Sequence, residues 1–365
     1  MKKALYISNI ESPYRAKFFD MLAGYCDLTV LYERKKSSNR DSSWAHLEAC
    51  KYNRQYLGGI RTGNETAFSL SILKFFKQDY DIIIIGCYNT PAEAFALLFH
   101  KSFPNQKVFI NLDGEQFIAG DTVKSKIKRY VLKYGDAYLV AGEKSADNLK
   151  KAIGHNKEIT PYYFSSLSVH ELEKHRNSFE IEAERSSSGR NNTILVIGQY
   201  FEYKGLDIAL EAAAKNKKLF YRFVGMGKRA ELFQKKAEEL GATNIEVIPF
   251  LQKKELEEEY LNDKMLVLPS RKECWGLVVN EAASFGMPVV STWGSGAAVE
   301  FLSDDYPEYL AEPGDAAGLL NCIEKLLALD EDSLRRYSRH LINKSCSYSI
   351  DRSVQCHIEA LELER

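Results

Sequence analysis

Residues 81–86 read Asp-Ile-Ile-Ile-Ile-Gly, four isoleucines with no polar residue among them. β-Branched side chains favour extended backbone, and a strand with one wet face would alternate polar with apolar. A run without alternation predicts a strand buried on both faces, the condition of a parallel sheet covered by helices. Parallel neighbours need a crossover between them, so this one strand constrains the segments around it.

The flanking sequence meets that demand. "KALYIS", "DLTVLYE", "KVFINLDG" and "AYLVAG" read as further strands, and "PYRAKFFDML", "TPAEAFALLFHK", "KSKIKRYVLKY" and "EKSADNLKKAIG" as helices between them. After residue 190 the alternation restarts with "TILVIG", "LFYRFVG", "IEVIPF", "MLVLPS" and "MPVVST", again separated by helical patterns. The reading is α/β throughout, with two doubly wound, Rossmann-like parallel sheets facing a cleft. A chain of 365 residues exceeds a single core, which supports the division. The expected domains are 1–170 and 191–347. Residues 171–190, charged and ending in Ser-Ser-Ser-Gly, are expected as a linker, and a helix at 348–365 is expected to return to the first domain. Ligands of such sheets bind beyond the carboxyl ends of the strands, so the loops there carry the functional reading.

Net charge of −1 conceals an asymmetry: 24 Lys+Arg against 17 Asp+Glu through His170, and 25 against 33 after it. A basic half on a neutral chain suits an anionic partner, and chance partition of solvated charge would look the same. The basic segment "VKSKIKRYVLKYG", Lys124 to Lys133 with Ile127 and Tyr130, has the composition of a helix that lies on an anionic membrane. A helix burying its apolar side in its own domain explains it equally well. The acids in the same half and the lack of a recognition motif argue against nucleic acid. Seven scattered cysteines without a Cys-x-x-Cys pair suggest reduced thiols and a cytoplasmic setting. No run reaches the length of a membrane span.

Three loops of the second half bear glycine and charge. In "GQYFEYKG", Gln199 and Lys204 stand between a buried strand and a helix whose free N–H groups favour an anion. In "VGMGKRAE", Gly225 and Gly227 resemble a dinucleotide fingerprint, but the nearest acid, Glu246, begins the following strand instead of ending it. In "ECWGLVVNE", a helix starting near Gly276 and Leu277 leaves Glu273 on the loop and puts Glu281 in the second helical turn. Eight residues place these acids up to about 12 Å apart. Hydrolase acid pairs stand only about 5–9.5 Å apart, so this pair fits the two polyol ends of an elongated ligand better. An anion between two polyols describes a nucleotide sugar. Trp275 is then an apolar wall of the site, or else core.

"SRKECWGLVVNEAASFGMPVV" resembles the Glu-x7-Glu signature of retaining GT-B glycosyltransferases of family 4. "GQYFEYKGLD" is similar to that family's phosphate loop, "PFLQKKEL", with Phe250, to its nucleobase-side loop, and "STWGSGAAVEFL" to its Gly-rich turn. The resemblance covers the second half in order and spacing, and the first half only in general shape. It implies that Glu281 holds the ribose hydroxyls and Glu273 the donor-sugar hydroxyls. Lys204, with backbone N–H groups at Gly276 and Leu277, would neutralise the leaving diphosphate. Asp113 and Glu115 of "NLDGEQ" would face sugar and acceptor. Two departures stand out: Gln199 replaces a usual Arg, and "NIESPYR" replaces a Gly-Gly loop, so Tyr14 and Arg15 become the acceptor-side candidates and Arg15 a substitute cation.

The implied function is transfer of a sugar, with retention, from a nucleoside-diphosphate donor, UDP or GDP, to a glycan or lipid-linked acceptor of a bacterial surface polysaccharide. No metal and no cofactor is implied. The alternatives are a nucleotide-sugar epimerase of the same architecture and an inactive nucleotide-sugar-binding protein.

Overall fold

The computed structural model describes residues 1–35, 50–86, 88–102, 106–114, 123–184 and 192–363. The chain divides into two compact units, Met1–Phe164 with Ile350–Arg365, and Ser165–Ser349.

In the first unit β1 (Lys3–Ile10), β2 (Asp27–Arg34) and β3 (Asn53–Tyr56) precede a short hairpin, β4 (Ile60–Arg61) and β5 (Ala67–Phe68). The strands β6 (Ile82–Ile85), β7 (Lys107–Leu112), β8 (Ala137–Ala141) and β9 (Glu158–Tyr162) follow. Seven of these make one parallel sheet in the order β3-β2-β1-β6-β7-β8-β9. The isoleucine run is β6, paired with β1 on one side and β7 on the other, and every one of its side chains is buried. Each such burial is worth about 1.5–3 kcal/mol relative to exposure.

Helices α1 (Pro13–Leu22), α2 (Ile72–Phe76), α3 (Pro91–Phe99), α4 (Val123–Leu132) and α5 (Glu143–Ile153) connect the strands. The inward residues of α2 to α5, among them Phe76, Leu97, Leu132 and Leu149, share one core with Ile83, Ile85 and Ile110 of the sheet.

In the second unit α6 (Val169–Glu184) leads to β10 (Thr193–Ile197), α7 (Leu206–Lys215), β11 (Phe220–Val224), α8 (Ala230–Leu240) and β12 (Ile245–Ile248). Then come α9 (Lys253–Asn262), β13 (Met265–Leu268), α10 (Leu277–Ser284), β14 (Val289–Thr292), α11 (Gly296–Leu302), β15 (Leu310–Ala311), α12 (Ala316–Leu327) and α13 (Glu331–Cys346). The sheet order is β12-β11-β10-β13-β14-β15, with parallel pairing throughout. The final helix, α14 (Ile350–Ala360), belongs to the first unit and packs on β9 and α1.

The stretch expected as a linker is mostly helix. Its charge masks an inward stripe at i, i+3 and i+7: Leu172 and His175 are buried, and Phe179 packs where a side chain on Gly286 would fall, 2.8 Å from its ring. Only residues 185–190 of the expected linker lie outside the described residues. Among the described residues no helix is long and apolar enough to cross a membrane, and the six described cysteines are free thiols.

Candidate active site

Strand order in the second sheet reverses between β10 and β13, which are hydrogen-bonded neighbours. Loops leaving the carboxyl ends of two such strands diverge, and the crevice between them is where open α/β sheets bind ligands. Here those loops hold Lys204 and Glu273.

The β10 loop runs from Gly198 through a single 3-10 turn, Glu202–Lys204, to Gly205, from which α7 starts. Gly205 has a φ of 65° and lies so close to the β13 loop that a Cβ on it would fall 2.0 Å from the Pro269 carbonyl oxygen. Only glycine satisfies both conditions. The contact is fixed by the Lys272 amide donating to the Tyr203 carbonyl at 3.0 Å. Arg271 adds a bidentate pair, both nitrogens at 2.7 Å from the Asp207 carboxylate, and donates to the Glu202 carbonyl at 2.8 Å. Planar two-point pairing of this kind fixes direction as well as distance.

The consequence is an ion pair between Lys204 and Glu273. Burial pulls the Lys204 ammonium down, but the Glu273 carboxylate outweighs it and holds the group above the ordinary lysine value. Lys204 is therefore charged at neutral pH. The β14 loop closes on the same place, since the Glu273 amide donates to the Gly294 carbonyl at 2.8 Å and the Ala297 amide to the Trp275 carbonyl at 2.8 Å.

Helix α10 begins at Leu277, directly after Gly276 with a φ of 100°. A left-handed residue at that point turns the chain sharply, and the first N–H groups of the helix have no carbonyl within the helix to bond. Glu281 follows in the second turn, as expected. Its two oxygens accept from the Ser166 hydroxyl at 2.8 Å and the Tyr260 hydroxyl at 3.0 Å. Burial raises the Glu281 carboxyl above its usual range, against the opposing effect of those two hydroxyls. The arrangement is a carboxylate presented with two hydroxyl donors, one per oxygen.

Neither Ser166 nor Tyr260 was legible as functional. Ser166 stands in the connection before α6, and Tyr260 ends an acidic helical pattern as one more apolar position. Beneath Glu281, Ser284 donates to the Glu281 carbonyl at 2.7 Å and lies 2.9 Å from His175 Nδ1. The His175 ring stacks on Phe285 at 3.8 Å, and burial lowers it to about 4.

Other expected positions divide. Gln199 is half-buried on the β10 loop, and Phe250 is exposed after β12. Gly225 follows β11 against Gly198, and Gly227 opens a 3-10 turn before α8. Trp275, expected as an apolar wall or as core, is core. It is 2% exposed, its indole N–H donates to Asn280 at 2.8 Å, and its ring lies against Tyr348. A large ring one residue before a glycine turn finds more apolar surface beneath the helix than beside the crevice.

In the first unit, Arg15 on the first turn of α1 pairs with Asp113, which directly follows β7. Asp113 also accepts from the Tyr162 hydroxyl at 2.7 Å and the Asn111 amide at 2.9 Å. His357 of α14 lies 2.7 Å from the Asn111 side chain. The Arg15 guanidinium is set among the rings of Tyr6, Phe18 and Phe164, at 5.1 to 5.9 Å from each centroid. It is thus a buried, paired cation and not an open replacement for a missing one. Tyr14 is half-buried and meets Phe164 edge-on at 5.9 Å. Glu115 lies outside the described residues. Among the described residues no three His, Cys, Asp or Glu side chains stand together as a metal site would need.

Residues 177–341 match the family described as glycosyl transferases group 1. The O-antigen chain mannosyltransferase C of Escherichia coli is 25% identical over 284 residues, 74% of this chain and 72% of that one. The 2-deoxystreptamine N-acetyl-D-glucosaminyltransferase of Niallia circulans is 28% identical over 157 residues. That alignment spans 40% of this chain and only 39% of the relative. Among solved structures, Anabaena HepE in complex with UDP superposes with a TM-score of 0.72 at 15% identity, covering 99% of each chain. The same protein is also known with UDP-glucose. At such identity the likeness shows the fold alone, which is GT-B: two Rossmann-like halves. The family match and the named relatives support a glycosyltransferase.

Proposed function

We propose that this chain is a retaining GT-B glycosyltransferase of family 4 that moves a sugar from a nucleoside-diphosphate donor, UDP or GDP, to a glycan or lipid-linked acceptor. The observation that carries the reading is the meeting of Lys204 and Glu273 at the β10–β13 reversal, with the start of α10 beside them and Glu281 one turn further on. When the bond from the anomeric carbon to phosphate breaks, its electron pair stays on the diphosphate. A fixed cation and helix N–H groups aimed at that charge are worth about 10²–10³ in rate for each donor removed. Lys204 and the amides at Gly276 and Leu277 take that part, with Gln199 as an uncharged hydrogen-bonding companion.

Glu281 takes the ribose, because its two hydroxyl partners in the free chain, Ser166 and Tyr260, are the kind of donor a ribose diol supplies. Glu273 exchanges Lys204 for donor-sugar hydroxyls. Gly225, Gly227 and Phe250 line the nucleotide side. Asp113 acts through Arg15, as a positioning residue for the acceptor-side loop. No metal enters this scheme. The E. coli relative points to a bacterial surface polysaccharide as the product, and the charge of the first unit to work at the inner face of the cytoplasmic membrane.

Thermal melting of the purified chain with UDP, GDP, ADP and CMP tests the donor site, with Glu281→Ala and Lys204→Ala alongside. A nucleotide at 100 times its dissociation constant adds about 2.7 kcal/mol of stability. One diphosphate should raise the melting temperature of the wild type and of neither variant. No shift with any nucleotide would sink the proposal. Donor converted without acceptor would identify an epimerase, and binding without turnover an inactive nucleotide-sugar-binding protein.

A further inference from the structure

Helices α3 and α4 pack side by side on one face of the first sheet, burying Leu97, Val131 and Leu132 against it. Their outward sides are the unusual ones. Helix α4 turns Val123, Ile127 and Tyr130 to solvent at i, i+4 and i+7, with exposures of 74%, 57% and 58%. At the end of α3, Leu98 and Phe99 are 41% and 45% exposed. The Lys101–Asp136 ion pair, on the segments that follow the two helices, fixes their carboxyl ends beside each other. The two neighbouring helices therefore each present exposed apolar residues. A helix packed only for its own core would bury them, and this one already buries a different stripe.

The charge carried by α4 and the turn after it has one sign. From Val123 to Gly135 the chain carries Lys124, Lys126, Lys128, Arg129 and Lys133 and no acid. Lys126 and Lys133 are exposed next to Ile127 and Tyr130 in sequence. Aliphatic and aromatic side chains standing out among cations match the boundary between headgroups and acyl chains, where both are favourable at once. A nucleic acid would satisfy the cations and leave the isoleucine and tyrosine in water.

We propose that the outward face of α3 and α4 docks on the surface of an anionic lipid bilayer. The inference does not depend on the sugar-transfer reading, because lipid binding is measured apart from nucleotide binding. It gives the membrane location suggested above a defined surface.

Co-sedimentation of the full chain with vesicles tests it, comparing phosphatidylcholine alone with phosphatidylcholine containing phosphatidylglycerol. The chain should pellet with the anionic vesicles only, and less as salt is raised. Removing one surface cation should weaken binding about fivefold, so Lys126→Glu with Lys133→Glu should abolish pelleting. Ile127→Ser with Tyr130→Ser should weaken it about tenfold or more, since lipid binding scales with buried apolar area. All four side chains are solvent-exposed, so both variants should keep the melting temperature and nucleotide response of the wild type. Equal pelleting on neutral and anionic vesicles, or none on either, overturns the proposal. So does an Ile127→Ser, Tyr130→Ser variant that pellets like the wild type, which would mark a general polyanion surface.

Discussion

Each unit places a cation and a carboxylate together at the carboxyl edge of its sheet, Arg15 with Asp113 in the first and Lys204 with Glu273 in the second. The two pairs differ in what surrounds them. Asp113 takes two further hydrogen bonds, and Arg15 is enclosed by three aromatic rings. Lys204 is an unbranched amine on a loop held by backbone contacts, a glycine turn and the Arg271–Asp207 pair, with the single ring of Tyr203 near its ammonium. A guanidinium in a fixed ring of partners is part of the framework. An ammonium on a flexible stem can exchange its partner for a phosphate. One pair holds a loop in place, and the other presents a charge.

That contrast is breakable, and the largest effect expected is on stability. Arg15→Ala leaves the Asp113 carboxylate half-buried without its cation, which should cost about 3–5 kcal/mol. Calorimetry of the full chain should show the first unit melting about 10 °C lower. Lys204→Ala, which loses the nucleotide response, also strands a carboxylate but removes no guanidinium enclosed by three rings, so it should shift melting less. Equal melting of the two variants would erase the distinction drawn between the pairs.

A smaller effect concerns pH. His175, under Glu281, is held down to about 4 by burial, so the folded unit keeps it neutral while the unfolded chain takes up a proton near 6.5. A histidine lowered on folding contributes fully above 6.5, and that contribution falls as pH drops from 6.5 toward 4. The loss by pH 4.5 should be about 2 kcal/mol. Urea melts from pH 7 to 4.5 check this, and His175→Gln should flatten the slope. An unchanged slope in that variant would move the titration to another group.

The smallest effect tests the hydroxyls on Glu281. Ser166→Ala removes one of its two donors in the free chain, at a stability cost of about 1 kcal/mol. If the ribose replaces that donor, nucleotide affinity should stay the same or rise by up to about fivefold. Isothermal titration with the diphosphate that gives the thermal shift reads this directly. A tenfold fall in affinity would show instead that Ser166 itself contacts the nucleotide.

Much of the fold was legible because burial on both faces leaves a mark that local sequence cannot hide. Ile82 to Ile85, and Met265 to Leu268 with its following Glu-Cys-Trp-Gly turn, each announced a buried parallel strand and what came after it. Lys204, Glu273 and the start of α10 were legible for a related reason: in each of two short loops, glycine, charge and a helix start fall together. What stayed hidden was pairing across distance. Ser166 and Tyr260 are 115 and 21 residues from Glu281, and His357 is 246 residues from Asn111. Polar composition also hid α6, whose inward stripe needed a partner surface to become visible.

The sequence by itself determined the two parallel sheets and the loops that bear charge, since hydrophobic period and glycine placement are local properties. Only tertiary structure decided which cation is buried and which is presented, that Trp275 packs in the core, and that Ile127 and Tyr130 face water. Those outcomes depend on which surfaces the sheet and its helices have left to cover, and no segment carries that information alone.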